Sequence, residues 1–428
     1  MSIRLYHHTF GCKLNFAETH NFISKLNNVI IATEPEKADI AFINSCSVTQ
    51  AAGHKTLRFV RHLKRQNPDI KIILAGCLVD YLKKQGTLAV DAADILLDNS
   101  HKQQAAQYVN SLVHSQRSNA DSIVMPDDAP LDNSRTRYFI AVENGCDNFC
   151  SYCIIPFLRG HIKSRSADDI LNEFNSAVAQ GYREFVITGI HIGHYGRDTN
   201  SSLAELLELL LQQHGIFRIR LSSIEVNEIT PRLLKVLADP RVCRHLHIPL
   251  QSGSNTVLSK MNRRYTTVFF GEKVNEIRSS LGDIGITTDV ISGFPGEDEQ
   301  LFNETVDFIK KIGFTRLHNF PFSAMKGTAA YNIKEGIVPP QEIKRRVRKL
   351  NELNEQLKLS YIERNIGKKR TILYEKSGRG AYTGNYIHVF PAKNYLKNRF
   401  YSGIIINKEG EFKIEEEVDA VYQSQINW

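Results

Sequence analysis

Short apolar runs that alternate with amphipathic stretches restrict the fold of this chain more than any other feature of its sequence. The runs IRLYHHTF (3–10), VIIAT (29–33), DIAFIN (39–44), KIILAG (71–76) and ADILLDN (93–99) are rich in β-branched residues. NFAETHNFISKLNN (15–28) and QAAGHKTLRFVRHLKRQN (50–67), between them, have helical periodicity. Strands that alternate with helices predict a parallel sheet covered on its faces, because a parallel connection needs a long crossover. After a polar stretch, QRSNADSIVMPDDAPLDNSRT (116–136), the alternation returns with a longer period. YFIAVE (138–143), EFVITG (184–189), RIRLSS (218–223), HLHIPL (245–250), TTDVISGF (287–294) and RLHNFPFS (316–323) read as strands with helices between them. Such a series predicts a partial (β/α)6 barrel, with any site at the carboxyl ends of its strands. A charged helix over about 340–366 leads to TILYEK, GNYIHVFP, FYSGIIIN and EFKIEEEVDAVY, which predict a small all-β barrel. The expected fold class is therefore α/β with an all-β end. Its divisions are 1–115 (parallel α/β), 116–136 (linker), 137–365 (partial barrel) and 366–428 (β-barrel).

The 428 residues are enough for two or three domains. No apolar run reaches the roughly 18 residues of a membrane span, and MSIRLYHHTFGCKLN lacks a signal peptide's apolar core. A cytoplasmic location without membrane association is expected. In that reducing compartment clustered cysteines are metal ligands or catalysts rather than disulfides. The net charge of +8 adds weight to a polyanionic partner.

Six of the seven cysteines fall in two sets. Cys12, Cys46 and Cys77 each lie just past an expected strand, in HHTFGC, AFINSC and IILAGC, so three separated thiolates can converge on one sheet edge. Three unrelated core cysteines are the alternative. Cys146, Cys150 and Cys153 stand in ENGCDNFCSYC, with spacing C-x3-C-x2-C. A zinc site completed by His161 is one reading; an iron–sulfur cluster with one open iron is the other. Cys243 precedes its strand and sits at the opposite edge, so it reads as structural.

C-x3-C-x-aromatic-C, with Tyr152 as the aromatic, resembles the signature of the radical S-adenosylmethionine enzymes. The stretches FGCKLN, NSCSVT, AGC, CIIPFLRG, HLHIPLQSGS, MNRRYT and ISGFPGE extend the resemblance to the methylthiotransferases over nearly the whole chain. That resemblance implies two [4Fe–4S] clusters. One is catalytic, on Cys146, Cys150 and Cys153, with S-adenosylmethionine on its open iron. The other is auxiliary, on Cys12, Cys46 and Cys77. It further implies reductive cleavage to a 5′-deoxyadenosyl radical, hydrogen abstraction, and transfer of a methylated sulfur to carbon. A C-terminal TRAM module for RNA, a tRNA anticodon stem-loop as substrate, a flavodoxin or ferredoxin as electron donor, and a sulfur source complete the expectation. The segment VITGIHIGHYGRD (186–198) resembles the subgroup acting on N6-threonylcarbamoyladenosine at tRNA position 37. Isopentenyladenosine and a ribosomal-protein aspartate are the substrates of other subgroups. The alternative of another class is a non-catalytic, zinc-stabilised RNA-binding protein.

Further candidates stand at strand ends. Gly189 and Ile190, Ser223 and Glu225, Gln251 and Ser252, and Ile291 and Gly293 are expected around the cofactor, with solvated ends and a plain GFPGE turn as the bland readings. Arg159, Lys163 and Arg165 at the barrel mouth are candidates for a carboxylate or phosphate, and Arg159 for the threonylcarbamoyl carboxylate. KRRVRKL (344–350), Lys368, Lys369 and Arg370 read as a phosphate track. Tyr382, Tyr386, His388 and Phe390, interleaved with Lys393 and Arg399, read as a single-strand-binding surface or as ordinary core.

Overall fold

The computed structural model describes residues 3–116, 136–375, 380–391, 396–408 and 411–419. Residues 117–135 of the expected linker, and Lys393, lie outside the described residues.

The first unit comprises β1 (Ile3–Thr9), α1 (Lys13–Ile23), β2 (Val29–Ile31), β3 (Ile40–Ser45), α2 (Gln50–Gln66), β4 (Lys71–Gly76), α3 (Cys77–Lys84), β5 (Ile95–Leu97) and α4 (Gln104–Gln116). Its five strands are parallel in the order β2-β1-β3-β4-β5. Alternate residues of β3 serve opposite layers. Ile40 and Phe42 pack with α1 and α4, while Ala41 and Ile43 pack with α2. All six residues of this central strand are buried, as a doubly covered strand requires. Helices α3 and α4 are additional to the expected elements; α3 starts directly at Cys77, behind Gly76 at φ +100°.

The second unit runs through β6 (Arg137–Ala141), β7 (Glu143–Asn144), α5 (Ile155–Arg159), β8 (Lys163–Ser164), α6 (Ala167–Ala179), β9 (Glu184–Thr188), α7 (Leu203–Leu211), β10 (Arg218–Leu221), α8 (Pro231–Leu237), β11 (His245–His247), α9 (Asn255–Lys260), α10 (Thr267–Leu281), β12 (Gly285–Ser292), α11 (Glu299–Ile312), β13 (Arg316–Pro321) and α12 (Pro340–Glu363). Parallel strands pair as β6-β9-β10 and β11-β12-β13, and single parallel bridges Ile219–Val242 and Ser223–His247 join the two sets. The result is the expected open six-stranded barrel, with β7 and β8 as a short hairpin behind the cysteine loop. Side chains facing the helices, such as Ile140, Phe185, Ile187, Ile219, Leu246 and Leu317, form one large core. Their alternating neighbours therefore face the lumen. Helix α1 of the first unit packs on β6, where Phe16 approaches Phe139 and His20 meets Tyr138.

The third unit is a closed barrel of β14 (Lys369–Tyr374), β15 (Ala381–Thr383), β16 (His388–Pro391), β17 (Phe400–Lys408) and β18 (Glu411–Asp419), in the order β14-β15-β16-β18-β17. Strand β15 is too short to have stood out from the sequence. This barrel docks on the amino ends of the parallel strands. Arg218 donates to the carbonyls of Thr371 and Tyr382, Arg220 to those of Thr383 and Gly384, and Arg137 pairs with Glu375 at 2.6 Å. Among the described residues no helix is long and apolar enough to cross a membrane.

Candidate active site at the carboxyl ends of the partial barrel

The lumen is layered by strand position. At the amino end Glu184, fully buried, is bonded to Arg218 and Arg220 at 2.5 and 2.8 Å. In the middle Asp289 lies 3.1 Å from His247 Nε2 and 3.3 Å from His318 Nδ1. Burial pushes the Asp289 carboxyl up, but these two histidines hold it well below the usual range. Lys13 extends from α1 into the same region, within electrostatic reach of Arg137, Glu184, Arg220 and Asp289. Burial, then the two arginines, lower its ammonium to about 8, so it remains cationic at neutral pH.

At the carboxyl end stand Glu143, Thr188 and Ser222, all buried. Glu143 Oε2, Thr188 Oγ1 and Ser222 Oγ each lack a hydrogen-bond partner among the described residues. Buried polar atoms are seldom left so, which marks this layer as built for a polar ligand. Glu143 Oε1 accepts from the backbone N–H of His191 at 2.5 Å. Gly189 makes this possible, since a Cβ there would lie 2.1 Å from Glu143 Oε1. Burial holds the Glu143 carboxyl up at about 7 against the hydrogen bonds from His191 and Ile190.

The loop above this layer carries Cys146, Cys150 and Cys153, and each thiol is free. Gly145 at φ +86° lets the loop turn against the His161 carbonyl, which a Cβ would meet at 2.0 Å. His191 Nδ1 approaches Cys146 Sγ at 3.8 Å, and Arg263 donates to Cys150 Sγ at 3.4 Å while pairing with Glu225. Burial raises the Cys146 thiol to about 11 and that of Cys153 to about 12. A metal must therefore displace protons to take these sulfurs as thiolates. His161, the fourth ligand of the zinc reading, is exposed and bonded to Asp147 at 2.6 Å. Tyr152 and Ile291 pack together on Val257, Met261 and Phe294, a firm apolar floor beside the loop.

Cys12, Cys46 and Cys77 do converge. Cys12 and Cys46 each lie within electrostatic reach of Cys77, and Cys46 within reach of Cys12. Gly11, at φ +98°, is required here because a Cβ would stand 2.6 Å from Cys46 Cβ and 2.8 Å from its sulfur. Cys77 packs against Ile154 and Leu158, directly after the second cysteine loop. The two triads thus sit at adjoining edges.

Several candidates are placed differently from expectation. Arg159 is fully buried rather than open to a substrate anion. Its Nε donates to Cys77 Sγ at 3.2 Å, and its other nitrogens reach Glu18, Asn15 and Asn144 at 2.8 to 2.9 Å. It ties the helix after the second cysteine loop to Cys77 of the first set. Arg165 is held by Glu173 and the Ala141 carbonyl, whereas Lys163 is exposed. Tyr386 is not an open stacking face: it stacks on His245 and Tyr382, under Arg220, where the β-barrel docks. Lys368 and Arg370 are both paired with Asp283, and Arg346 of the charged helix is buried on Glu297. Strand alternation turns Ser222 rather than Ser223 inward. Gln251 at φ +65° continues β11 beside Val290, and Ser252 is bonded to Thr305. The close approach allowed by Gly293 is to Ile343 of α12. Cys243 is buried at the amino end. Glu143, Lys13, Glu18 and Arg263 were not singled out from the sequence, although counting by twos from β6 reaches Glu143 and Lys13 adjoins Cys12.

Residues 140–309 match the model of the Radical SAM superfamily, and residues 4–98 that of the Uncharacterized protein family UPF0004. The chain is 36% identical over 91% of both lengths to the threonylcarbamoyladenosine tRNA methylthiotransferase MtaB of Thermotoga maritima. It is 35% identical over 89% of both lengths to the enzyme of the same name in Bacillus subtilis. The tRNA-2-methylthio-N(6)-dimethylallyladenosine synthase of Carboxydothermus hydrogenoformans is 31% identical, over 86% of this chain and 87% of that protein. Among solved structures the radical S-adenosylmethionine methyltransferase TsrM of Kitasatospora setae superposes with a TM-score of 0.54 at 11% identity, over 75% of this chain and 73% of that one.

Proposed function

Because this chain belongs to the radical S-adenosylmethionine tRNA methylthiotransferase family, we propose that it adds a methylthio group to C2 of N6-threonylcarbamoyladenosine at position 37 of tRNA. The family enzyme uses S-adenosylmethionine and a [4Fe–4S] cluster, and the residues present suit both. Three free thiols on one loop leave one iron of a cubane open, and the orphaned polar layer of Glu143, Thr188 and Ser222 lies directly beneath. In this reading Cys146, Cys150 and Cys153 hold the catalytic cluster and Cys12, Cys46 and Cys77 an auxiliary one. Bound at the first triad, the cluster supplies the electron that splits S-adenosylmethionine, and the chemistry is that of the cofactors.

The protein's part is placement. Glu143, anchored through Oε1, presents Oε2 to the ammonium of the methionyl moiety. Tyr152 and Ile291 offer an apolar floor for an adenine. Arg263 and Arg159 each give one triad sulfur a charged hydrogen-bond donor. Helix α1 packs on β6 at the open edge of the barrel. The β-barrel is assigned as the TRAM-type RNA module, with its binding face away from the docked Tyr386.

One observation carries the choice of substrate. The lumen holds Lys13, an ammonium with no hydrogen bond or ion pair among the described residues, within electrostatic reach of Asp289 and its two histidines, and a dimethylallyl substituent would leave that ammonium without a partner. A threonylcarbamoyl substituent, with carboxylate, hydroxyl and urea, supplies one. The deciding experiment is mass spectrometry of tRNA nucleosides from cells with and without the gene. Loss of the methylthio derivative of threonylcarbamoyladenosine supports the reading, while loss of only the dimethylallyl analogue overturns it. Anaerobic analysis should find about eight irons and matching sulfide per chain; zinc without sulfide would return the protein to the scaffold class.

A further inference from the structure

Two charged groups come within electrostatic reach of each other in the lumen, and they are partnered very differently. Asp289 is shared between His247 and His318. Lys13, half-buried on the first turn of α1, makes no hydrogen bond or ion pair among the described residues. Of the charges within its reach, Arg137 and Arg220 repel it, Glu184 is already bonded to Arg218 and Arg220, and Asp289 is held by its histidines. An ammonium withdrawn from water and left without a partner is costly, and such groups are retained where a ligand completes them. The lumen is closed at the amino end by the arginine layer and the docked β-barrel, so the completing anion enters from the carboxyl end, where the cysteines stand.

We propose that Lys13 is a carboxylate subsite within the lumen, and that it takes the carboxylate of the threonyl moiety on the substrate's N6 substituent. This rests on the threonylcarbamoyl reading above and adds a residue to it. Lys13 becomes the specificity determinant: a dimethylallyl group carries no anion, so it leaves the ammonium bare, whereas a threonylcarbamoyl group neutralises it. The residue belongs to the same turn as Cys12, so the group that selects the substituent is tied to the triad assigned to the auxiliary cluster. Asp289, with its two histidines, stands beside the same space and keeps the lumen from carrying a large net positive charge.

The test compares binding of anticodon stem-loop RNAs carrying threonylcarbamoyladenosine, its methyl ester, or dimethylallyladenosine to the reconstituted enzyme, its Lys13→Gln and Lys13→Arg variants, and Asp289→Asn. Wild type should bind the acid at least tenfold more tightly than the ester, since hydrogen bonds to charged groups are worth about that much. Lys13→Gln should bind acid and ester alike with unchanged iron content, and Lys13→Arg should recover part of the preference. Asp289→Asn removes a competing negative charge and should widen the acid-to-ester ratio, a measurement that stands even if Lys13→Gln fails to assemble its clusters. A wild-type enzyme indifferent to esterification, a Lys13→Gln variant that keeps the preference, or an unchanged ratio in Asp289→Asn overturns the proposal. So does a loss in Lys13→Gln confined to S-adenosylmethionine affinity. If wild type prefers the dimethylallyl stem-loop, the substrate reading itself fails; if it prefers the threonylcarbamoyl RNA but ignores its ester, only the role of Lys13 does.

Discussion

The two cysteine triads are chemically alike and structurally opposite. Cys146, Cys150 and Cys153 occupy eight consecutive positions of one loop, so a short peptide already brings them near one another. Cys12, Cys46 and Cys77 come from the carboxyl ends of β1, β3 and β4, and they meet only once the parallel sheet has formed. Each triad nevertheless has one arginine on a sulfur, Arg263 on Cys150 and Arg159 on Cys77. Arg159 ends α5, the helix that follows the local triad, yet it serves the distant one. The lesson is one of dependence: the local triad has its geometry from its own loop, whereas the dispersed triad is held in part by the other unit.

The largest effect should come from breaking each triad in turn. Cys150→Ala should abolish formation of 5′-deoxyadenosine. Cys46→Ala should keep that cleavage and lose the methylthio product. Each variant should retain about four of about eight irons. If either variant lost all of its iron, the triads could not be treated as separate sites.

A smaller effect tests the dependence itself. Arg159→Ala leaves the half-buried Glu18 with only Lys102 as counter-ion, 2.6 Å away, and should destabilise the protein by about 2–3 kcal/mol. Its iron loss should fall on the dispersed triad, read as retained S-adenosylmethionine cleavage with little product. Adding Glu18→Gln should return part of the stability, because the two changes share a partner. Iron lost equally from both triads would show that α5 does not distinguish them.

The smallest effect lies beneath the local triad. Glu143 is held up at about 7 by burial, against an unperturbed 4.5. The folded protein therefore keeps a proton that the unfolded chain releases. Its contribution is fully present below about pH 4.5 and is lost as pH rises through about 7, about 3 kcal/mol in total. Chemical denaturation of the cluster-free protein between pH 5 and 8 should show this slope, and Glu143→Gln should flatten it. Equal slopes in the two proteins would count against a buried, protonatable Glu143.

Much of the architecture was legible because it is written in short-range pattern. The runs at 3–10, 39–44 and 71–76 became β1, β3 and β4 almost residue for residue, since β-branched apolar stretches of that length suit covered parallel strands. Strand β15, three residues long, and α3, which begins on a cysteine, had too little pattern to register. The cysteines were legible as two sets because each stands at the same place in its local unit. The basic and aromatic residues were less so. Arg159, Arg370 and Tyr386 look alike on paper whether they face RNA or a neighbouring unit, and in the fold all three are spent on internal contacts.

What the sequence determined by itself is the order of most strands and helices, the grouping of six cysteines into two sets, and the edge at which both sets lie. Those properties follow from side-chain periodicity and from spacing along the chain, which act over a few residues. Only the tertiary structure decided that Arg159 serves Cys77, that Glu143 and Lys13 face the lumen, and that the β-barrel closes the amino end. Each of these is a pairing between groups far apart in sequence, and the energy of a buried charge depends on what surrounds it in space.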